Sequence, residues 1–175
     1  MIAKTEIQTP LGRMFACATK NGICLLEFDN RKNYDLQLEK LAKSLNETIE
    51  TGESPFFGQL KTELDEYFEG KRTEFSVPLD LVGTDFQKKV WAELLKIPYG
   101  KTISYKQLAE RTGDSNASRA VANANGMNKI ALIVPCHRVI GANGTLTGYA
   151  GGLERKRYVL ELEKGIDNQN LHNCI

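Results

Sequence analysis

The chain has 175 residues, 41% of them hydrophobic and 26% charged, with a formal net charge of +1. That is the composition of an ordinary globular protein, long enough for one large domain or two small ones with their own cores. No stretch is long and apolar enough to span a bilayer, and "MIAKTEIQTPLGRM" lacks the apolar core of a signal peptide, so no membrane association and a cytoplasmic setting are expected. The four cysteines, Cys17, Cys24, Cys136 and Cys174, form no C-x-x-C pair. Free thiols in a reducing compartment are therefore expected, and the spacing of the cysteines and of His137 and His172 fits no zinc finger or ribbon.

Charge is unevenly placed. Residues 1–82 hold 10 Lys/Arg against 14 Asp/Glu, and residues 83–175 hold 13 against 8. An acidic half joined to a basic half suggests that the second half meets an anionic partner.

The first half reads as β, then α. A Pro10-Leu11-Gly12 turn and Asn21-Gly22 punctuate alternating apolar stretches, and Asn-Gly is a hairpin signal because both residues tolerate positive φ. Leu38, Leu41 and Leu45 recur at helical spacing, which predicts an amphipathic helix over roughly 33–46. "NETIETGES" reads as a polar connection to a second helix from about Pro55 to Gly70. "TEFSVPLDLVGT" reads as a strand and a linker, which sets the domain boundary at Val82-Gly83.

The second half reads as helical with one buried strand. Thr84 and Gln87 form a capping box ahead of Phe86, Val90, Leu94 and Ile97, and Ser104 and Gln107 form another ahead of a short helix closed by Gly113. A third helix follows Asp114-Ser115 and runs to about Asn125-Gly126. Helix, glycine turn, helix is the helix-turn-helix pattern. The third helix, "SNASRAVANAN", is nearly all Ala, Asn and Ser, with Arg119 as its one long side chain. Its composition alone suits close packing on a sheet. Its place in the basic half favours entry into a DNA groove.

Ile130–Val134 is short, β-branched and apolar, and predicts a buried strand ended by Pro135. Cys136 then stands at the end of a rigid element with His137 beside it. A free thiol has a pKa of about 8.5, so a nucleophilic cysteine needs a base. Adjacent residues of a strand point to opposite faces, so contact between this pair requires a turn at Pro135-Cys136 or a bridging water. Glu163 falls between Val159 and Leu160 on the apolar side of the helix "LERKRYVLELE". A carboxylate there needs a partner, which His137 or Lys156 could supply. These residues alone leave three chemistries open: group transfer to Cys136, thiol hydrolysis, or a DNA-binding regulator in which Cys136 is only packed.

"VPCHRVIGANGTLTGYAGGLERKR", with "GTDFQKKVWAELLKIPYGKTISYKQLA" and "ASRAVANANGMN" upstream, resembles the methylated-DNA–protein-cysteine methyltransferases, or O6-alkylguanine-DNA alkyltransferases. The likeness runs from Gly83 to about Gly165 and more weakly through "YFEGKRTEF". It implies an α/β protein: an N-terminal ribonuclease-H-like domain over 1–82, a mostly helical winged-helix-like DNA-binding domain over 83–165, and a tail, 166–175, expected to be mobile. It implies a single-use repair protein that flips a damaged base from double-stranded DNA and moves the alkyl group from O6 of guanine, or O4 of thymine, to Cys136. His137 would be the base through a water, Glu163 its orienting acid, and Asn128 the brace of the turn. Tyr105 would hydrogen-bond guanine N3. Arg119 would fill the vacated stack, with Ala117, Ser118, Ala120, Ala124 and Thr84 at the DNA. Tyr149, the Ala150 N–H, and the carbonyls of Cys136 and Val139 would line the pocket. No cofactor and no metal are implied, and the protein would act as a monomer.

Two positions depart from that pattern. Lys129 follows Asn128 where many relatives carry proline, which questions the stiffness of the loop, and Ala150 stands where some carry serine. Lesion-binding relatives that do not repair lack the cysteine, which this chain has. His172 and Cys174 are given no role.

Overall fold

The computed structural model describes residues 1–29 and 34–165. The mobile tail expected over 166–175 lies outside the described residues. The chain divides into two units, Met1–Val82 and one beginning at Gly83. Among the described residues no helix is long and apolar enough to cross a membrane.

The first unit is a sheet with helices. Strands β1 (Ile2–Thr9), β2 (Gly12–Thr19) and β3 (Gly22–Phe28) form an antiparallel meander. Helix α1 (Tyr34–Leu45) carries the chain over to β4 (Ile49–Thr51), which pairs parallel to β1, so the sheet order is β3-β2-β1-β4. Leu41 is fully buried against Ile2, Cys17, Cys24 and Leu25, with Leu38 and Leu45 half-buried around it, as the helical spacing predicted. Helix α2 (Phe57–Phe68) packs on β1 through an apolar stripe that includes Leu60, Leu64 and Tyr67.

Three details of this unit differ from the sequence expectation. The second hairpin turns on Lys20-Asn21, not Asn21-Gly22, because Thr19 pairs with Gly22. Gly22 is required for another reason: a Cβ there would lie 2.5 Å from the Pro78 carbonyl, where the returning chain bridges Ile23 to Leu79. Part of "NETIETGES" is a strand, since Ile49 aligns with Ile2. "TEFSVPLDLVGT" makes only that single bridge. Pro78 has no N–H to give to a ladder, and the N–H groups of Ser76 and Val77 donate to the buried Glu63 carboxylate at 2.9 and 3.1 Å.

In the second unit both capping boxes form as the spacing predicted. Thr84 caps α3 (Asp85–Leu94) with Gln87 reaching back, and Ser104 caps α4 (Tyr105–Arg111) with Gln107. Helix α3 buries Val90, Trp91 and Leu94 but leaves Phe86 exposed. Helix α5 (Ser118–Gly126) packs on α3 and α4. Strands β5 (Ile103–Ser104) and β6 (Val139–Ile140) pair in parallel. Helix α6 (Leu153–Glu163) closes the unit.

The strand expected at Ile130–Val134 is absent. The five residues are buried, but as a turn, with Leu132 at φ 71°. Ile133 N–H donates to the Ala131 carbonyl and Val134 N–H to the Ile130 carbonyl, so part of the run's backbone is satisfied within the turn, and the Asn128 side chain bonds Ile130 N–H and the Ile130 and Val134 carbonyls. A short apolar run reports burial without reporting period.

The Glu63 carboxylate secures the segment after α2. Besides the two backbone groups it accepts from Ser76 Oγ at 2.6 Å and Gln59 Nε2 at 2.9 Å. Glu63→Ala leaves buried donors without acceptors and is expected to cost about 3 kcal/mol, read from the denaturant midpoint of the full chain. A loss under about 0.5 kcal/mol, the level of an ordinary surface change, contradicts this.

Candidate active site and DNA-binding face

Asn128 organises the buried turn. Its Nδ2 donates to the Val134 carbonyl at 2.8 Å and the Ile130 carbonyl at 3.3 Å, and its Oδ1 accepts from Ile130 N–H at 3.0 Å. The chain then passes Pro135 into a 3-10 helix, Cys136–Arg138. The turn expected at Pro135-Cys136 is present, but no thiol–imidazole hydrogen bond forms across it among the described residues, since His137 Nδ1 has no partner. Cys136 is 8% exposed and its carbonyl accepts from Asn125 Nδ2 at 3.4 Å.

His137 is wholly buried. Its Nε2 lies 2.7 Å from Glu163 Oε2. Arg138 holds the same carboxylate in a fork, Nε to Oε1 at 2.8 Å and Nη2 to Oε2 at 3.1 Å, while Nη1 donates to the Ile97 carbonyl at 2.6 Å. Burial alone raises the Glu163 carboxyl, but His137 and Arg138 outweigh it and hold it down at about 2. Burial lowers His137, with Glu163 pulling it up and Arg138 and Lys156 pushing it down; the net direction is downward. The imidazole is therefore neutral near pH 7. An ionised carboxylate only accepts, so the ring proton sits on Nε2 and Nδ1 is the basic nitrogen. Nδ1 is buried and has no hydrogen-bond partner among the described residues.

Lys156, which the spacing offered as a partner for Glu163, goes elsewhere. It is fully buried, and its Nζ donates to the Val139 carbonyl at 2.6 Å and the Thr147 carbonyl at 2.7 Å. Burial lowers this ammonium to about 8, with a smaller electrostatic pull from Cys136 in the other direction. Tyr105, at the start of α4, donates its hydroxyl to the same Thr147 carbonyl at 3.1 Å. Lys156 thus ties β6 to the loop that carries Tyr149 and Ala150. Ala150 is exposed and Tyr149 half-buried.

Helix α5 presents Arg119 and Ala120 to solvent, with Ala117 and Ser118 half-buried beside them and Thr84 exposed at the cap of α3. Ala124 does not belong with them. It is buried, and its carbonyl accepts from Trp91 Nε1 at 2.9 Å, so its small side chain serves packing between α3 and α5. Arg138, Lys156 and Asn125 were not anticipated as site residues. The only signal for Lys156 was its position on the apolar side of α6, and nothing in the pattern of Arg138 or Asn125 marked them.

A helix-turn-helix unit carrying a thiol next to a neutral imidazole and a buried carboxylate is the class of protein defined here. Residues 2–81 match the family model described as 6-O-methylguanine DNA methyltransferase, ribonuclease-like domain, and residues 85–165 match the model of its DNA binding domain. The methylated-DNA–protein-cysteine methyltransferase of Methanosarcina barkeri is 42% identical over 158 residues, covering 90% of this chain and 94% of that one. The protein of the same name from Mycobacterium tuberculosis is 63% identical over 102 residues, 58% of this chain and 62% of that one, so this match spans less than two thirds of the mycobacterial relative. Crystal structures of the Mycobacterium tuberculosis O6-methylguanine methyltransferase and of the same species' OGT in complex with DNA superpose with TM-scores of 0.80 and 0.82. The first is 42% identical and covers 100% of both chains; the second is 41% identical and covers 98% of this chain and 99% of that one. The chain belongs to the 6-O-methylguanine DNA methyltransferase family.

The Glu163 arrangement carries a pH consequence. Its folded pKa lies below the unfolded carboxyl value, so its stabilisation is fully present above about pH 4.5 and is lost as pH falls towards about 2. Burial of His137 in the neutral form adds a loss that begins below its ordinary value of 6.5. Chemical denaturation of the full chain near pH 6 and pH 3 is expected to show a drop that is about 2 kcal/mol smaller in Glu163→Gln, the part of the carboxyl shift titrated by pH 3. Equal drops in both proteins contradict the assignment.

Proposed function

We propose that the protein repairs double-stranded DNA by moving an alkyl group from O6 of guanine, or O4 of thymine, to its own Cys136, once and irreversibly. The observation that carries this reading is the His137 Nε2–Glu163 contact of 2.7 Å, which leaves Nδ1 as the basic nitrogen of the residue next to the thiol. The Cys136 proton passes to His137 through a water. The sulfur bonds to the alkyl carbon, the carbon–O6 bond breaks with its electron pair on the purine, and the purine takes up a proton. The thioether stays on the protein, so no catalyst is regenerated. Glu163 orients His137, and Asn128 braces the turn that fixes the sulfur, which matters because displacement needs in-line alignment.

Tyr105 donates to guanine N3 as charge develops on the leaving base. Its present bond to the Thr147 carbonyl supports this role, since a hydroxyl already held at that edge needs only to rotate. Val139, Tyr149, Ala150 and the Cys136 carbonyl line the pocket. The Val139 carbonyl accepts from Lys156 and keeps a second lone pair for the exocyclic amine. Arg119 enters the base stack as the nucleotide leaves it, a movement that costs a few kcal/mol. Ala117, Ser118, Ala120 and Thr84 meet the DNA beside it. The chain acts as a monomer in the cytoplasm, and needs no cofactor; the free thiols of Cys17, Cys24 and Cys136 suit a reducing compartment.

Titration with duplex holding labelled O6-methylguanine tests the reading. Methyl removal is expected to stop at about one per protein, the limit of a single consumed nucleophile. Cys136→Ser is expected to bind the duplex and remove nothing. Continued turnover, or methyl removal by Cys136→Ser, overturns it. Arg119→Ala is expected to slow repair in duplex at least tenfold, about 1.4 kcal/mol, while leaving reaction with free O6-benzylguanine within about twofold. Equal losses on both substrates remove the intercalating role.

A further inference from the structure

Glu163 poses an electrostatic problem that His137 alone does not solve. It is the last residue of α6, where the helix dipole disfavours negative charge. It is also buried, so an unpaired carboxylate there would take up a proton. A neutral imidazole offers it one hydrogen bond and no charge. If His137 were the only partner, the low-energy arrangement would place a proton on both ring nitrogens, and Nδ1 could then accept nothing.

Arg138 changes that balance. It donates two hydrogen bonds to the carboxylate in the planar fork for which guanidinium is suited, and a third to the Ile97 carbonyl, and it is itself buried. The Tyr99 ring lies 5.8 Å from its Cζ, and a Cβ at Gly100 would come within 3.1 Å of the Glu163 carbonyl, so the 97–100 segment clamps both partners. Among the described residues, the charged and titratable groups that act on His137 and Glu163 are Arg138 on the 3-10 helix, Lys156 on α6 and Tyr99 from the segment after α3, while Cys136 acts on Lys156. Of these only Arg138 touches the carboxylate with a cation.

We propose that Arg138 is a positioning residue of the transfer reaction: its guanidinium supplies the positive charge that Glu163 balances, so that His137 remains a neutral base protonated only at Nε2. This extends the alkyl-transfer reading and rests on it for its consequence, but not for its measurement. It predicts that the charge state of His137 depends on the identity of residue 138, not only on burial.

Nitrogen-15 NMR of histidine-labelled full-length protein reads this directly. In the wild type near pH 7, His137 should show a protonated Nε2 and an unprotonated Nδ1. In Arg138→Met its titration midpoint should rise by about one pH unit, since an opposing charge at contact distance has been removed. Arg138→Lys should stay closer to wild type. The acid limb of Cys136 alkylation by iodoacetamide should move with the midpoint. A merely structural Arg138 would lower the rate equally at every pH and leave the midpoint in place, and that result overturns the proposal. So does an imidazolium in the wild type near pH 7. Should Arg138→Met fail to fold, the wild-type spectrum and Arg138→Lys still decide: a doubly protonated His137 in either near pH 7 overturns it. Because the spectrum is recorded without DNA, a protein that never accepts a methyl but keeps a neutral His137 defeats the repair reading alone.

Discussion

The buried Glu163 carboxylate is the group on which the second unit turns. It sits at the wrong end of a helix dipole and away from water, and is stable only because His137 and Arg138 converge on it from the 3-10 helix. Those two residues flank nothing by accident of spacing: Cys136 precedes them directly, so the bonds that satisfy the carboxylate also fix the thiol's backbone. The same three bonds therefore join α6 to the segment that carries Cys136 and set which ring nitrogen can take a proton.

A second set of constraints holds the approach to the thiol. Asn128 takes the place that a neighbouring strand would have filled, bonding one N–H and two carbonyls of the turn that follows. Lys129, directly after Asn128, packs on α3. The Lys129 ammonium lies 5.7 Å from the centre of the Trp91 ring. That ring is locked by its own bond to the Ala124 carbonyl, and there is no room for a Cβ at Gly83 against it. Lys156 completes the wall by joining β6 to the Thr147 loop through two carbonyls.

What was legible in the sequence follows physical lines. Caps are local, and both capping boxes formed as spaced. Glu163 was legible because a carboxylate on an apolar helical face demands a partner, but which partner was not, since that depends on three-dimensional approach: Lys156 was as near in sequence logic and went to two carbonyls instead. The apolar run Ile130–Val134 announced burial and concealed its turn, because five residues are too few to show a period and Leu132 gives no hint of positive φ. Arg138 was invisible for the opposite reason. Arginine after histidine reads as a surface charge, and only the fold brings the end of α6 against it. Ala124 was misplaced at the DNA because small side chains suit close packing on protein and on nucleic acid alike.

If His137 serves as the base for Cys136, the charge of Glu163 sets the reactivity of the thiol. The rate of Cys136 alkylation by a small electrophile, measured against pH in the wild type and in Glu163→Gln, tests it most directly. The variant is expected to keep its fold near neutral pH yet to react more slowly there, with its rate rising only at higher pH, as for a thiol without a competent base. Superimposable profiles would contradict it.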